Sequence, residues 1–322
     1  MSSELTVTFD SVPTQRTTND PTLSIDEYDA GGDFYRLPRR FDGNRIRSGN
    51  SSMTIVAEGD DGNTKFLGSG LRKYLTEDIS PVRVDILLVA CSFVSGVLDS
   101  AAFNAWGSFA SMQTGNIIFL ALGVSGQPPD PPNRWAKSLI AIGTFGLGVL
   151  FFKYACQYLR PLRRSTLLAS FCLQTAAILI SSILVQTGVV DSSTEASSHG
   201  VHWIQVLPLA LLAFQAAGQI VTSRLLGLDE IPTLVLTTVI CDLLMGRHLF
   251  NWHEGWKKNH IRVRRLATLL ALFSGAMLSG GLSKVGGLSA PLWLATGVKM
   301  VITACWVVWR RMEYESDEEM GS

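Results

Sequence analysis

Long stretches without charge dominate residues 84–309 and limit what this chain can fold into. Residues 165–190 and 203–223 contain no Asp, Glu, Lys or Arg. Each stretch exceeds the roughly 20 apolar residues that cross a bilayer core of about 30 Å. Because every backbone polar group must be satisfied in lipid, each stretch is predicted to be a helix. We therefore expect an all-α, polytopic membrane protein.

A third uncharged stretch, residues 100–129, contains many amides, hydroxyls and glycines. The sequence Met112-Gln113-Thr114-Gly115-Asn116 lies at its centre. A polar, interrupted segment is tolerated at membrane depth only where it contacts protein or a water-filled cavity. This stretch is therefore the first place to expect a functional site.

The beginning of the chain has the opposite composition. Residues 1–83 carry ten Lys or Arg and thirteen Asp or Glu, with few apolar patches. Such a composition cannot bury enough apolar surface to offset the entropy of ordering the chain. We predict a disordered cytoplasmic tail over residues 1–80, a membrane domain over 81–312 and an acidic cytoplasmic tail over 313–322. The formal net charge of +0 gives no reason to expect nucleic-acid binding.

Eight apolar segments have spanning or half-spanning length. They cover residues 84–104, 112–125, 135–158, 165–190, 203–224, 231–250, 266–283 and 291–309. As a helix, residues 112–124 would measure only about 20 Å. The sixth segment carries Pro232 and Asp242 and is also short. The sequence predicts six crossings with two short or re-entrant segments.

The distribution of basic residues supports this topology. Basic residues cluster before the first segment, in loops 160–164 and 247–265, and after the last segment. The positive-inside rule places all four clusters on the cytoplasmic side. The four clusters lie on the same side of the membrane if the first and second segments together make one crossing. The fifth and sixth segments must likewise make one crossing together. Both termini would then be cytoplasmic, while eight plain crossings with a weak charge rule remain the alternative.

The six-crossing topology gives the two halves of the domain, residues 84–190 and 203–309, opposite orientations. Each half then holds one short segment at the corresponding position. Paired interrupted segments in an inverted repeat indicate a transporter-type binding site. The sequence match between the halves is faint, since residues 113–116 align with Leu236-Thr237-Thr238-Val239.

Four groups of residues carry a resemblance to a known family. They are Gly96-Val97-Leu98-Asp99, Met112-Gln113-Thr114-Gly115-Asn116, Gln219 with Arg224, and the Thr-rich run 233–238 ending near Asp242. Over residues 84–309 the chain resembles the YoaK-like family of polytopic membrane proteins, a domain of unknown function (DUF 1275). The resemblance implies a six-helix-class membrane protein and no established activity. This chain has Gln219-Ile220 and Thr237-Thr238 where the family tends to Gln-Asn and Thr-Gly, so the second-half site is less polar.

The polar residues of these segments are the candidate pathway for a solute or ion. They are Asp99, Asn104, Gln113, Thr114, Gly115, Asn116, Gln215, Gln219, Arg224, Thr237, Asp242 and Lys299. Since charges are costly at membrane depth, Lys299 is expected to pair with Asp242 or Asp99, as a structural pair or as a proton or solute site. Arg224 is either part of an interfacial charge cluster or a contact for an anion. Asp99 either belongs to the functional site or lies hydrated at the outer membrane interface.

A small-solute transporter or channel is the function predicted from this pattern. A non-transporting membrane scaffold or receptor is the alternative. An intramembrane enzyme is disfavoured, because no nucleophile–base pair stands out. No cofactor or metal site is predicted, since His253 and its neighbours do not fit a zinc pattern. The expected partners are membrane lipid and a small polar solute or ion.

Overall fold

The computed structural model describes residues 73–80, 83–127, 134–190, 203–227, 236–245 and 260–310. Within these ranges the protein is helical, with eight α-helices and a 3-10 turn at Trp203–Gln205. The helices are α1 (Val84–Trp106), α2 (Gln113–Val124), α3 (Arg134–Leu159), α4 (Arg164–Gln186), α5 (Val206–Leu225), α6 (Leu236–Met245), α7 (His260–Gly286) and α8 (Ser289–Val308). Residues 1–72 of the disordered tail predicted over 1–80 lie outside the described residues, as does the acidic tail 313–322.

Six of these helices are long and apolar enough to cross a membrane, and α2 and α6 are not among them. The six long apolar helices and the short α2 predicted from the sequence are confirmed, and of the second short segment the structure describes Leu236–Met245. Gly107, at φ 71°, ends α1, and its N–H bonds the carbonyl of Phe103 at 2.9 Å. A left-handed glycine is the usual end of a helix because it lacks the Cβ that makes this conformation costly. The chain can therefore turn at once into the short loop that leads to α2.

The contacts between helices repeat when the two halves are exchanged. Helix α1 packs on α7 as α5 packs on α3, and α4 packs on α5 as α8 packs on α1. In this exchange α1, α2, α3 and α4 are equivalent to α5, α6, α7 and α8. The contact between α2 and α3 therefore corresponds to the contact between α6 and α7. The contacts α4·α8 and α1·α5 each join a helix to its own equivalent, so the exchange leaves them unchanged. An inverted repeat produces this pattern, with α1, α4, α5 and α8 meeting around its pseudo-two-fold axis.

Glycines at corresponding positions make a close helix crossing in each half. A Cβ added to Gly96 of α1 would overlap the carbonyl oxygen of Leu272 in α7, and one added to Gly275 would overlap that of Phe93. In the other half, a Cβ on Gly148 of α3 would lie 2.8 Å from the Cβ of Ala217 in α5. Small residues allow such close backbone approach between membrane helices. The two crossings support the repeat independently of the sequence match.

The four basic regions described by the structure lie at one end of the bundle, called here the basic end. Ile79 N–H bonds the carbonyl of Leu162 at 2.9 Å, and Ser80 N–H bonds that of Arg310 at 3.1 Å. Arg264, near the start of α7, forms an ion pair with Asp85, near the start of α1, at 3.0 Å. Eight plain crossings would place residues 160–164 at the opposite end, so that alternative is wrong.

A short ordered segment before α1 closes part of the basic end. Residues 73–80, which composition assigns to the tail, pack against the ends of α4 and α8. The buried Arg164 donates to the carbonyls of Val307 at 2.7 Å and Trp309 at 2.8 Å, with its guanidinium 3.8 Å from the Tyr74 ring centroid. These bonds satisfy carbonyls that the end of a helix leaves without an intrahelical partner.

Candidate functional site

The loop between α1 and α2 is held by two of the predicted residues. Asp99, buried on α1, accepts a hydrogen bond of 2.7 Å from the backbone N–H of Ser111 and a second from the Ser111 hydroxyl. Asp99 forms no ion pair with any residue that the structure describes. Its carboxylate is therefore anchored by loop donors at the end of α1, where Ser108 also meets Ser138 of α3 at 3.1 Å.

Asn116 holds the same loop from the other side. Its Oδ1 accepts from the Phe109 N–H at 2.9 Å, and its Nδ2 donates to the Phe109 carbonyl at 2.8 Å and to Gln113 Oε1 at 3.0 Å. The side chain is 0% exposed. Since an amide offers two donors and one acceptor oxygen, these three bonds occupy most of its capacity. Asn116 therefore positions the loop and has little capacity left for a ligand.

The other first-half residues surround this loop. Gln113 Nε2 donates to the Ala110 carbonyl at 3.0 Å. Gly115 lies against Phe109, because an added Cβ would come within 2.8 Å of the Phe109 ring. Thr114 and Asn104 are exposed, and Asn104 faces a groove described below. The predicted first-half residues thus form one cluster at the end of α1.

A second polar cluster lies near the pseudo-two-fold axis. Lys299 of α8 is 0% exposed and donates to Gln219 Oε1 of α5 at 2.9 Å. Gln219 Nε2 in turn donates to Ser95 Oγ at 2.8 Å and to the Cys91 carbonyl at 3.2 Å. The Lys299 ammonium also lies 5.0 Å from the centroid of the Phe171 ring of α4. One charge thus joins all four axial helices.

The expected carboxylate partner of Lys299 is not found among the described side chains. An amide oxygen, an aromatic ring and the Cys91 thiol at 4.0 Å surround the ammonium instead. Asp99 is bound to Ser111, and the Asp242 side chain lies outside the described residues. A ring face and an amide oxygen stabilise a cation, but less than a carboxylate in contact with it would.

Further polar groups line the contacts between the axial helices. Thr175 of α4 meets Thr303 of α8 at 2.8 Å, and Ser182 meets Thr296 at 2.9 Å. Gln215 is 1% exposed, and its Oε1 has no hydrogen-bond partner in the part of the chain that the structure describes. The four axial helices therefore meet through hydroxyls and amides as well as apolar side chains.

The predicted residues thus fall into two clusters. Cys91 and Asp99 are eight residues apart on α1, so the Lys299 cluster and the Asp99 cluster are separated by about 12 Å along the helix. Arg224 is half-buried in the last turn of α5, and Thr237 is exposed on α6. The assignment of these residues to a solute pathway remains a prediction.

A groove of about 620 Å³ opens beside the Asp99 cluster. Its walls are α1, the loop after α1 and α7. The lining residues are Gly96, Asp99, Ser100, Phe103, Asn104, Phe109, Met112, Leu272, Ala276, Gly280, Ser283 and Lys284. The sequence Gly-Gly-Leu-Ser occurs twice over residues 280–289 and predicts a tight turn between two helices. Helix α7 continues to Gly286, so the first copy lies within the helix. The turn follows at Gly287, where φ is +66°.

Sequence reasoning missed several members of both clusters. Ser95, Cys91 and Phe171 look like ordinary residues of apolar helices, and only tertiary packing brings them to Lys299. Ser111 is a hydroxyl in a serine-containing loop and gives no separate signal. The sequence did contain one signal of where helices pack closely, the mid-helix glycines at 96, 148, 218 and 275. Glycine within a helix is unfavourable unless packing requires it.

Comparison with known proteins gives one match. Residues 87–305 match the family described as "Protein of unknown function (DUF1275)". The match spans α1 to α8 and includes both polar clusters. No curated protein matches the chain, and no solved structure matches it.

Proposed function

This chain belongs to the family described as "Protein of unknown function (DUF1275)", and from its structure we propose that it is a transporter of a small polar solute. Both termini face the cytoplasm in this proposal, because the basic end then follows the positive-inside rule. The solute crosses without chemical conversion. The two inverted halves rock against each other and expose a site between them to one side at a time.

The observation that carries this proposal is the position of Lys299. Its ammonium is fully buried where α1, α4, α5 and α8 meet, and its nearest hydrogen-bond acceptor is the Gln219 amide. Ionisable residues inside membrane helices usually mark substrate, ion or proton pathways because their burial is costly. A site on the axis of an inverted repeat is equally accessible to both halves. In alternating access, polar contacts between the two halves must break and re-form as the site opens to one side and then the other. Lys299 lies at the position where such a contact is needed.

Comparison of solute uptake tests the proposal. Cells that express the protein and matched cells that lack it are given an unbiased mixture of labelled metabolites. We expect uptake or efflux of at least one small polar solute to differ between them. Lys299→Met should abolish that difference while the protein level is unchanged.

Lys153→Met is the matched control. Lys153 lies on α3, with its ammonium 5.6 Å from the Tyr154 ring centroid, and is not part of either cluster. This variant should transport like the wild type. A complete absence of any solute difference would favour a non-transporting scaffold, and normal transport by Lys299→Met would remove Lys299 from the mechanism.

A further inference from the structure

The groove beside Asp99 is formed by matching faces of two parallel helices. Both α1 and α7 start at the basic end, where Asp85 pairs with Arg264. The groove residues 96, 99, 100, 103 and 104 share one face of α1, and residues 272, 276, 280, 283 and 284 share one face of α7. From Gly96 to Asn104 the groove extends about 12 Å toward the opposite end. It is thus a long cleft with its mouth at Asn104 and Lys284.

Small side chains on α7 keep this cleft open. The helices touch at Gly96 and Gly275, where no Cβ could be added without displacing backbone. One turn and a half further along α7, a Cβ on Gly280 would meet nothing within 4 Å. Ala276 and Gly280 are small residues four positions apart, a spacing that predicts close packing of two helices. Ala276 does lie at the crossing, but Gly280 leaves space for a ligand.

Asp99 gives the cleft a negative charge. Its two oxygens accept the two bonds from Ser111, and the backbone N–H groups of Ala110 and Met112 also donate to them. These donors are neutral groups, so the negative charge itself is not compensated by a cation. No described cation pairs with it, and Lys284 at the mouth forms no ion pair within the described ranges. A cationic group in the cleft would neutralise a charge that is costly at this depth.

The wall opposite α7 is aromatic. Phe103 and Phe109 stack with ring centroids 4.8 Å apart, and Phe119 lies 5.9 Å from Phe109. This cluster already holds one cation, because the Arg134 guanidinium lies 3.5 Å from the Phe119 centroid. Aromatic faces attract ammonium and guanidinium groups and also bind apolar carbon. A bare metal ion fits this wall poorly, since hard cations require several oxygen ligands.

We propose that the cleft binds a small primary amine with an apolar body. The ammonium group lies at Asp99, the body lies along Phe103, Phe109 and Met112, and any polar end faces Asn104 and Lys284 at the mouth. The volume of about 620 Å³ is within the range of small-molecule sites. This inference rests on the proposed transport function and names the class of its solute.

Binding of phenethylammonium to the purified full-length protein tests the inference. Titration calorimetry compares it with 2-phenylethanol, which lacks the charge, and with 3-phenylpropionate, which reverses it. We expect phenethylammonium to bind at least about tenfold more tightly than either analogue. Equal binding of the alcohol would indicate an apolar crevice for lipid and would overturn the inference, as would tighter binding of the anion or no binding at all.

Two glycines of α7 provide a matched pair of variants. Gly280→Leu places a side chain in the cleft, where its Cβ meets nothing within 4 Å, and should abolish binding. Gly281→Leu places the same side chain on the exposed neighbouring face, where a Cβ also meets nothing within 4 Å, and should bind like the wild type. Asp99→Asn should weaken binding about tenfold. Equal binding by the two leucine variants would place the ligand elsewhere and refute the cleft.

The two proposals fail in different ways. Solute flux that depends on Lys299, without any binding of phenethylammonium, would refute the amine while leaving transport in place. Binding that depends on Gly280 and Asp99, without any solute flux, would support the cleft and refute transport.

Discussion

At the scale of single residues, Asp99 and Asn116 spend their hydrogen bonds on the structure around the end of α1. Asn116 makes two hydrogen bonds to Phe109 in the loop between α1 and α2 and a third to Gln113 at the start of α2. Asp99 accepts hydrogen bonds from that loop, two of them from Ser111. Buried polar groups without partners are expensive, so these side chains first of all make the loop possible. Lys299 differs, because among the described residues its charge meets an amide, a ring and a thiol but no carboxylate.

Asn116→Ala is expected to destabilise the protein by about 1–3 kcal/mol, because the Phe109 backbone N–H and carbonyl lose their partner. Thr114→Ala, two residues away and exposed, should change stability by less than about 0.5 kcal/mol. Unfolding of both variants in detergent measures the difference. An Asn116→Ala protein with wild-type stability and no transport would instead make Asn116 a ligand-binding residue.

Gln219→Leu is expected to cost more stability than Lys299→Met. The first substitution leaves a buried ammonium without its acceptor, whereas the second removes the charge and keeps an apolar chain of similar length. In the double variant the two effects should not add, because the residues share one hydrogen bond of 2.9 Å. Thermal unfolding of the four proteins gives the coupling. Additive effects would mean that the bond contributes nothing to the fold.

At the scale of helices, close crossings decide which residues approach each other. Gly96 and Gly275 bring α1 and α7 into backbone contact, and Gly148 brings α3 against the Ala217 side chain of α5. Beyond the first crossing the two helices separate and the cleft opens. The same residue type therefore has opposite roles at Gly275 and Gly280, according to its distance from the crossing.

Gly275→Ala should lower the midpoint of thermal unfolding, because its Cβ would overlap the Phe93 carbonyl oxygen. Gly280→Ala should be neutral or stabilising by up to about 1 kcal/mol, since alanine is the better helix former and finds open space. Both variants are compared by thermal unfolding in the same detergent. If Gly280→Ala were the more damaging change, the cleft would have to be closed in the folded protein.

At the scale of the whole molecule, the inverted repeat explains both the topology and the position of Lys299. The halves exchange their helix contacts, their glycine crossings and even the polar contacts at the helix starts. Lys137 of α3 donates to Gln205 before α5 at 2.8 Å, as Arg264 of α7 does to Asp85 of α1 at 3.0 Å. Two similar units packed in opposite orientation place their shared axis within the membrane.

Cysteine labelling tests this topology in cells. In a background without the native cysteines, Pro161→Cys should react only with reagents that enter the cytoplasm. Thr187→Cys, at the exposed far end of α4, should react with an impermeant reagent added outside. The reason is that α4 crosses once between the two positions. Labelling of Pro161→Cys from outside would reverse the proposed orientation.

The sequence determined the helical class, the six crossings and the two short helices, because hydrophobic length and loop charge act locally along the chain. It also identified Asp99, Asn116, Gln219 and Lys299, since polar residues stand out in apolar segments. It could not identify their partners. Ser111, Ser95 and Phe171 are unremarkable in sequence and are brought to the polar groups by packing.

Tertiary structure alone decided that the polar residues form two clusters and that a cleft lies between α1 and α7. Whether a small residue makes a contact or a space depends on where two helices cross, and this geometry is set by residues distant in the chain. Lys299 shows the same dependence. The sequence predicted a carboxylate partner, because a buried charge is costly. The packing of the four axial helices instead brings the Gln219 amide oxygen to the ammonium.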